Sequence, residues 1–178
     1  MTHSDDTRHD RQLRLEDIPN IDLYMDQVIQ LFERTFEETT RSADETILTK
    51  TMINNYAKKK LFFPVTNKKY TKEHLILISL IYQLKSSFSI NDIKTILAPL
   101  NAGIEQDQLD LEGFYRNYLE LTERNTARFV TEQDALTAST TDPLEQLLAM
   151  AHMSNLYRRA AERLIDTQLK KSENAFTA

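Results

Sequence analysis

The sequence predicts a mainly helical fold with one small β-hairpin and additional helices toward the C-terminus. Three observations carry that expectation. Two glycines and four prolines in 178 residues leave few tight turns, which favours long helices. Apolar residues recur at threes and fours over much of the chain, the period of an amphipathic helix. The stretch 61–70 breaks that period, because Phe62, Phe63 and Val65 favour extended chain and Pro64 removes a backbone donor.

Composition bounds the class. A hydrophobic share of 40% with 28% charged residues fits a soluble globular protein. The absence of cysteine excludes a disulfide framework and thiolate metal sites, and it suits a reducing cytoplasm. The first residues, MTHSDDTRHDRQ, have no apolar run and do not read as a signal peptide. The longest apolar block, 75–84, would make a helix of about 15 Å, half a bilayer, so it reads as core and no membrane partner is expected.

Taken in order, residues 1–14 read as a flexible tail. A helix over 21–38, capped by Asn20, carries Ile21, Tyr24, Met25, Val28, Ile29, Leu31, Phe32 and Phe36 at helical spacing. A polar loop covers 37–45. Thr49 caps a helix over 50–60, with Met52, Ile53 and Tyr56 facing inward. The stretch 61–70 reads as a hairpin turning at Thr66, Asn67, Lys68 and Lys69. Thr71 caps a helix over 72–86 whose apolar residues cover most of its circumference, so it forms the buried centre. Ser89 opens a short helix over 90–98 that Pro99 ends, and Asn101, Ala102 and Gly103 mark a boundary. The domain therefore spans 15–100, and 104–178 forms a C-terminal helical region that packs on it or dimerises. In that region 109–129 reads as helix, 131–141 as loop or frayed helix, and Asp142-Pro143 as the start of a helix running to 170.

Charge singles out one segment. Seven lysines (Lys50, Lys58, Lys59, Lys60, Lys68, Lys69 and Lys72) lie between Thr46 and Lys72 with no acid among them. The whole chain is formally −5, which leaves −12 on everything outside that segment. Positive charge gathered on one segment of an acidic chain is the footprint of a phosphate-binding surface. A run of lysines is more often just a solvated face. On helix 50–60, however, Lys50, Thr51, Asn54, Asn55 and Lys58 share one side, and a solvated face would ordinarily mix in Glu or Asp. Asn pairs with the edge of adenine, and Lys reaches guanine or phosphate. Lys59, Lys68, Lys69 and Lys72 extend the positive strip toward flanking phosphates.

The residues that follow this strip match a known pattern. INNYAKKKLFFP resembles the R-Y-Y-E-x-x-G-L-L-x-P signature of MerR-type winged-helix regulators, with Tyr56, Leu61 and Pro64 on its second Tyr, its Leu and its Pro. Asn54, Ala57 and Lys60 stand where that signature has Arg, Glu and Gly. KKYTKEHL (68–75) resembles its Y-R-x-Y-S-x-E-D-L, and FSINDIKTIL (88–97) its G-F-S-L-E-E-I-K-x-L-L. IPNIDLYMDQV, LTKTMINNYAKKKL and KKYTKEH together are similar to a bacterial family known mainly as domain of unknown function 1836, over about residues 17–125. The resemblance implies a winged helix-turn-helix, MerR-like, with 61–70 as the wing. It implies double-stranded DNA as the partner and transcriptional control as the role.

No catalytic set stands in the sequence. His3 and His9 fall in the tail, His74 at a helix start, and His152 between two methionines. No phosphate-binding glycine loop and no zinc-protease motif is present. Asp107, Asp110 and Glu112 are explained as an acidic helix face. The expectation is a cytoplasmic, non-enzymatic, homodimeric regulator that needs no cofactor or metal. A protein–protein interaction module on the same scaffold is the alternative, because a remainder at −12 suits a basic partner better than DNA.

Overall fold

The computed structural model describes residues 11–42 and 44–169. Two compact units divide the chain, one running up to Thr122 and one from Glu123 onward. The chain is mainly helical with a single two-stranded antiparallel sheet among the described residues.

The first unit starts earlier than the tail expected over 1–14. Leu13 is fully buried, and its carbonyl accepts a 2.7 Å hydrogen bond from the Tyr115 hydroxyl. Residues 1–10 of that expected tail lie outside the described residues. After a 3-10 turn at Leu15–Asp17 comes strand β1, Leu23–Tyr24, and then helix α1, Met25–Phe36. The helix expected over 21–38 is thus shorter, because its first turn is taken into a sheet. Tyr24, not Asn20, is the cap, and its backbone N–H donates to Gln27 Oε1 at 2.8 Å. Val28, Phe32 and Phe36 point into the core.

Helix α2, Lys50–Lys58, begins where Thr49 Oγ1 accepts from the Met52 N–H at 3.1 Å. It ends two residues before the expected position 60. Lys60 sits at φ 57°, the Lys60 N–H reaches the Ala57 carbonyl, and the Leu61 N–H reaches the Tyr56 carbonyl, both at 3.0 Å. Those two bonds satisfy the last carbonyls of the helix in a left-handed cap, with buried Leu61 packing back toward buried Tyr56.

The hairpin expected within 61–70 is realised differently. A two-residue turn does form, with the Lys69 N–H on the Thr66 carbonyl at 3.0 Å and both Asn67 and Lys68 at positive φ. Only a single bridge, Thr66 to Lys69, closes it. The strand that follows, β2 (Lys69–Tyr70), pairs with β1 instead, Leu23 opposite Tyr70 and Tyr24 opposite Lys69. Pro64 has no N–H to give a ladder, and 61–65 stays outside one.

Helix α3, Lys72–Leu84, is buried on nearly every side: Leu75, Ile76, Leu77, Ile78 and Ile81 are all fully covered. Each such side chain contributes about 1.5–3 kcal/mol, which makes α3 the largest block of the core. Helix α4 runs from Ile90 to Glu105, so Pro99 does not end it and the expected boundary at 101–103 lies inside it. A proline within a helix costs about 3 kcal/mol. Burial of Ile93 and Leu97, with Leu100 and Ile104 against the core beyond the proline, offsets that cost. Beyond the end of the helix Asp107 takes φ 52°, while Gly103 lets Leu109 approach so closely that a Cβ there would lie 2.8 Å from Leu109 Cβ.

Helix α5, Leu111–Ser139, contributes Leu111 and Tyr115 to the first core. It continues through the residues expected as loop at 131–139. Thr131 and Thr137 return their hydroxyls to the carbonyls of Ala127 and Gln133, so they do not compete with the helix from outside.

In the second unit, helix α6 (Pro143–Leu164) starts as expected. Asp142 caps it by accepting from the Leu144 N–H at 2.8 Å, and proline occupies the first turn. A π-helical turn, Ile165–Leu169, follows it, and position 170 lies outside the described residues. No side chain of α6 itself is buried. Among the described residues, no helix is long and apolar enough to cross a membrane.

Candidate nucleic-acid interface

The exposed side of α2 is assembled from its cap outward. Thr49 fixes the first turn, and burial of Ile53 and Tyr56 fixes the rotation of the helix. Lys50, Thr51, Asn54, Asn55 and Lys58 are then all exposed, together with Lys59 and Lys60 at the C-terminal end. Three successive lysines beside the last carbonyls of a helix gain from its dipole, so part of their placement is explained by helix stability.

The structure divides the strip into paired and unpaired cations. Lys50 Nζ lies 2.7 Å from Asp26 Oδ1 on α1. Lys72 Nζ lies 2.9 Å from Glu112 Oε1 on α5, with three-quarters of its side chain covered. Lys72 is therefore tied down by one of the acids of the expected acidic face, and it is a poor hand for a phosphate. Lys50 is more exposed, and its ion pair is of the weak surface kind. Lys69 Nζ sits 5.6 Å from the centroid of the Tyr24 ring, across the two-strand sheet. Lys58, Lys59, Lys60 and Lys68 have no carboxylate within ion-pair distance among the described residues.

Two further residues belong to this surface, Lys60 of the lysine run and Tyr24. Lys60 occupies the left-handed cap. Tyr24, expected among the inward residues of a helix, stands exposed on β1 beneath Lys69. The lysine run pointed to the first; nothing local pointed to the second, because its exposure depends on pairing with residues far along the chain.

Behind the turn, His74 acts as a brace. Its Nδ1 lies 3.1 Å from the Thr71 N–H, which can only donate, so Nδ1 accepts and the ring proton is on Nε2. Nε2 then donates to the Phe63 carbonyl at 3.1 Å. The ring is buried, edge-on to Phe62 and Tyr70 and 3.9 Å from the Phe63 ring centroid. Burial holds its pKa below the ordinary imidazole range, with the Phe63 carbonyl and the Glu73 carboxylate opposing that shift. Asn101 does the same work on the other side: Nδ2 donates to the carbonyls of Leu61 at 3.0 Å and Leu97 at 3.1 Å, joining the end of α2 to α4. Lys85 donates to the Ile47 carbonyl at 3.1 Å and holds the segment before α2.

Among the described residues no group of three or more His, Asp or Glu side chains is placed to hold a metal ion. The surface offers cations, amides and hydroxyls, which suit binding of a polyanion.

The fold and surface define a small helical domain with a two-strand sheet, whose second helix contributes lysine, threonine and asparagine but no acid to its exposed side. Residues 13–118, more than half of the chain, match the family described as Domain of unknown function (DUF1836), and the chain belongs to that family. None of the curated proteins matches the chain, and none of the solved structures does.

Proposed function

We propose that this protein is a cytoplasmic, non-catalytic transcriptional regulator that binds double-stranded DNA as a homodimer through a MerR-like winged helix-turn-helix. In this reading α2 enters the major groove with Lys50, Thr51, Asn54, Asn55 and Lys58. Lys59 and Lys60 at its end, and Lys68 and Lys69 at the turn, hold flanking phosphates. The observation that carries the reading is the exposed side of α2, where lysine, threonine and asparagine stand together and the helix itself contributes no acid, Asp26 of α1 meeting it only at Lys50. The bracing of that surface by His74 and Asn101 supports it, since a positioned helix loses less on binding than a mobile one.

Titration of the full chain against duplex DNA at several salt concentrations tests it. With about four phosphate-paired lysines per protomer and two protomers, log affinity should fall against log salt with a slope of about −7. A slope shallower than about −2 overturns the proposal.

The second reading, a protein–protein interaction module, has its own support in the Lys50–Asp26 and Lys72–Glu112 ion pairs, which spend two of the seven lysines on the domain itself. Retention on heparin at moderate salt favours the first reading. Passage through heparin together with capture of a basic protein favours the second.

A further inference from the structure

We infer that Asp26 is a selectivity residue of the α2 surface: its carboxylate keeps the Lys50 ammonium from phosphates and reserves it for base edges. This rests on the DNA reading above and deepens it, by separating a cation kept for bases from those that grip the backbone. The starting point is a lysine in an unhelpful place. Lys50 is the first residue of α2. A cation there meets the positive end of the helix dipole, and the first turn of α2 contains no acid to offset it. Lys58, in the last turn, gains from the same dipole. Helix stability therefore explains Lys58 and does not explain Lys50.

The missing negative charge comes from another helix. Asp26 lies in the first turn of α1, and its Oδ1 is 2.7 Å from Lys50 Nζ. This carboxylate does not cap its own helix, since Tyr24 is the N-cap and Gln27 accepts from the Tyr24 N–H. Both partners stay open to solvent, with 64% of the Lys50 side chain and 69% of the Asp26 side chain exposed. The Lys72–Glu112 pair is different, because its ammonium is mostly covered. An exposed pair adds little to stability, yet any phosphate that takes Lys50 must share it with a carboxylate of its own sign. An ammonium has three donors, and Asp26 takes one. The other two still serve the neutral acceptors of a guanine edge, while the net attraction for a phosphate is largely cancelled. Asn54, one turn further along the same side of α2, adds a second group suited to a base edge.

The test uses the full chain and two probes, a random duplex DNA pool and the duplexes that wild type enriches from it. Asp26→Asn should bind the random pool roughly eightfold more tightly per protomer at about 0.1 M salt. Its salt slope should steepen by about 0.9, the increment of one added phosphate contact. Lys50→Ala should stay within about twofold of wild type on the random pool and bind the enriched duplexes roughly tenfold more weakly. Combining Asp26→Asn with Lys50→Ala should erase the gain, because Asp26 acts through Lys50. Unfolding midpoints of all three variants should match wild type, as they would not if the pair served the fold. Unchanged affinity of Asp26→Asn for the random pool overturns the inference. So does a gain that persists without Lys50, since the carboxylate then repels DNA in general. Equal losses of Lys50→Ala on both probes would make Lys50 a phosphate contact and overturn it as well. A wild type that binds no duplex at low salt is a separate result, which removes the DNA reading and this inference with it.

Discussion

The Nε2–H of His74 donates to the carbonyl of Phe63 at 3.1 Å, and that bond joins the first turn of α3 to the segment leading into the Thr66–Lys69 turn. Burial lowers the pKa of the imidazole from 6.5, so the fold favours the neutral ring. The unfolded ring takes up a proton near 6.5, and the folded ring does so only at lower pH. The contribution is therefore complete above pH 6.5 and is lost as pH falls from there toward the folded value, at no more than about 1.4 kcal/mol per pH unit. Urea midpoints at pH 7.5 and 5.5 should show wild type losing stability. His74→Leu should be about 2–4 kcal/mol weaker at pH 7.5, from two unpaired backbone groups, and should lose less on acidification. An unchanged acid response in His74→Leu would assign the effect elsewhere.

Lys60 holds a left-handed conformation that costs an ordinary side chain about 1–2 kcal/mol. Lys60→Gly should raise stability by about 0.5–1 kcal/mol once the freer unfolded chain is counted, and Lys60→Val should lower it. Thermal unfolding of both variants checks the sign, and destabilisation by glycine would mean that the lysine side chain matters to the fold.

Tyr115 donates to the Leu13 carbonyl and receives the Ser79 hydroxyl at 3.0 Å, deep in the core, where burial pushes its pKa up to about 12. Tyr115→Phe should cost about 1–3 kcal/mol and speed amide exchange around Leu13. Exchange that stays slow there would show the N-terminal segment held by packing alone.

Lys58→Glu combined with Lys69→Glu should abolish DNA binding and leave the unfolding midpoint nearly unchanged, since both side chains are exposed. Lys72→Met should leave the salt slope as it is, because Glu112 already occupies that ammonium. Gel shifts at fixed salt separate the outcomes, and a steep loss with Lys72→Met would show that the Glu112 pair opens on binding.

Much of the fold is legible in the sequence where the cause is local. Thr49, Thr71 and Asp142 start their helices as capping chemistry requires, and the all-round apolar pattern of α3 announces its burial. The residues that escape such reading answer to distant partners. Leu23 and Tyr24 fall inside the stretch expected as helix but pair with a strand supplied by Lys69 and Tyr70. Pro99 signals an end that packing on both sides of it overrides. For the candidate site, the side of α2 follows from its period, whereas the capture of Lys50 by Asp26 and of Lys72 by Glu112 requires knowing which helices meet.

The pairing of Tyr24 with Lys69 sets a minimum length for anything that imitates this surface. A synthetic peptide spanning the lysines would hold the same charge yet lack the strand that gives the turn its edge and the imidazole that pins it from behind. Charge alone is portable, but shape here is borrowed from sequence on both flanks, so a truncated fragment should behave as a generic polycation.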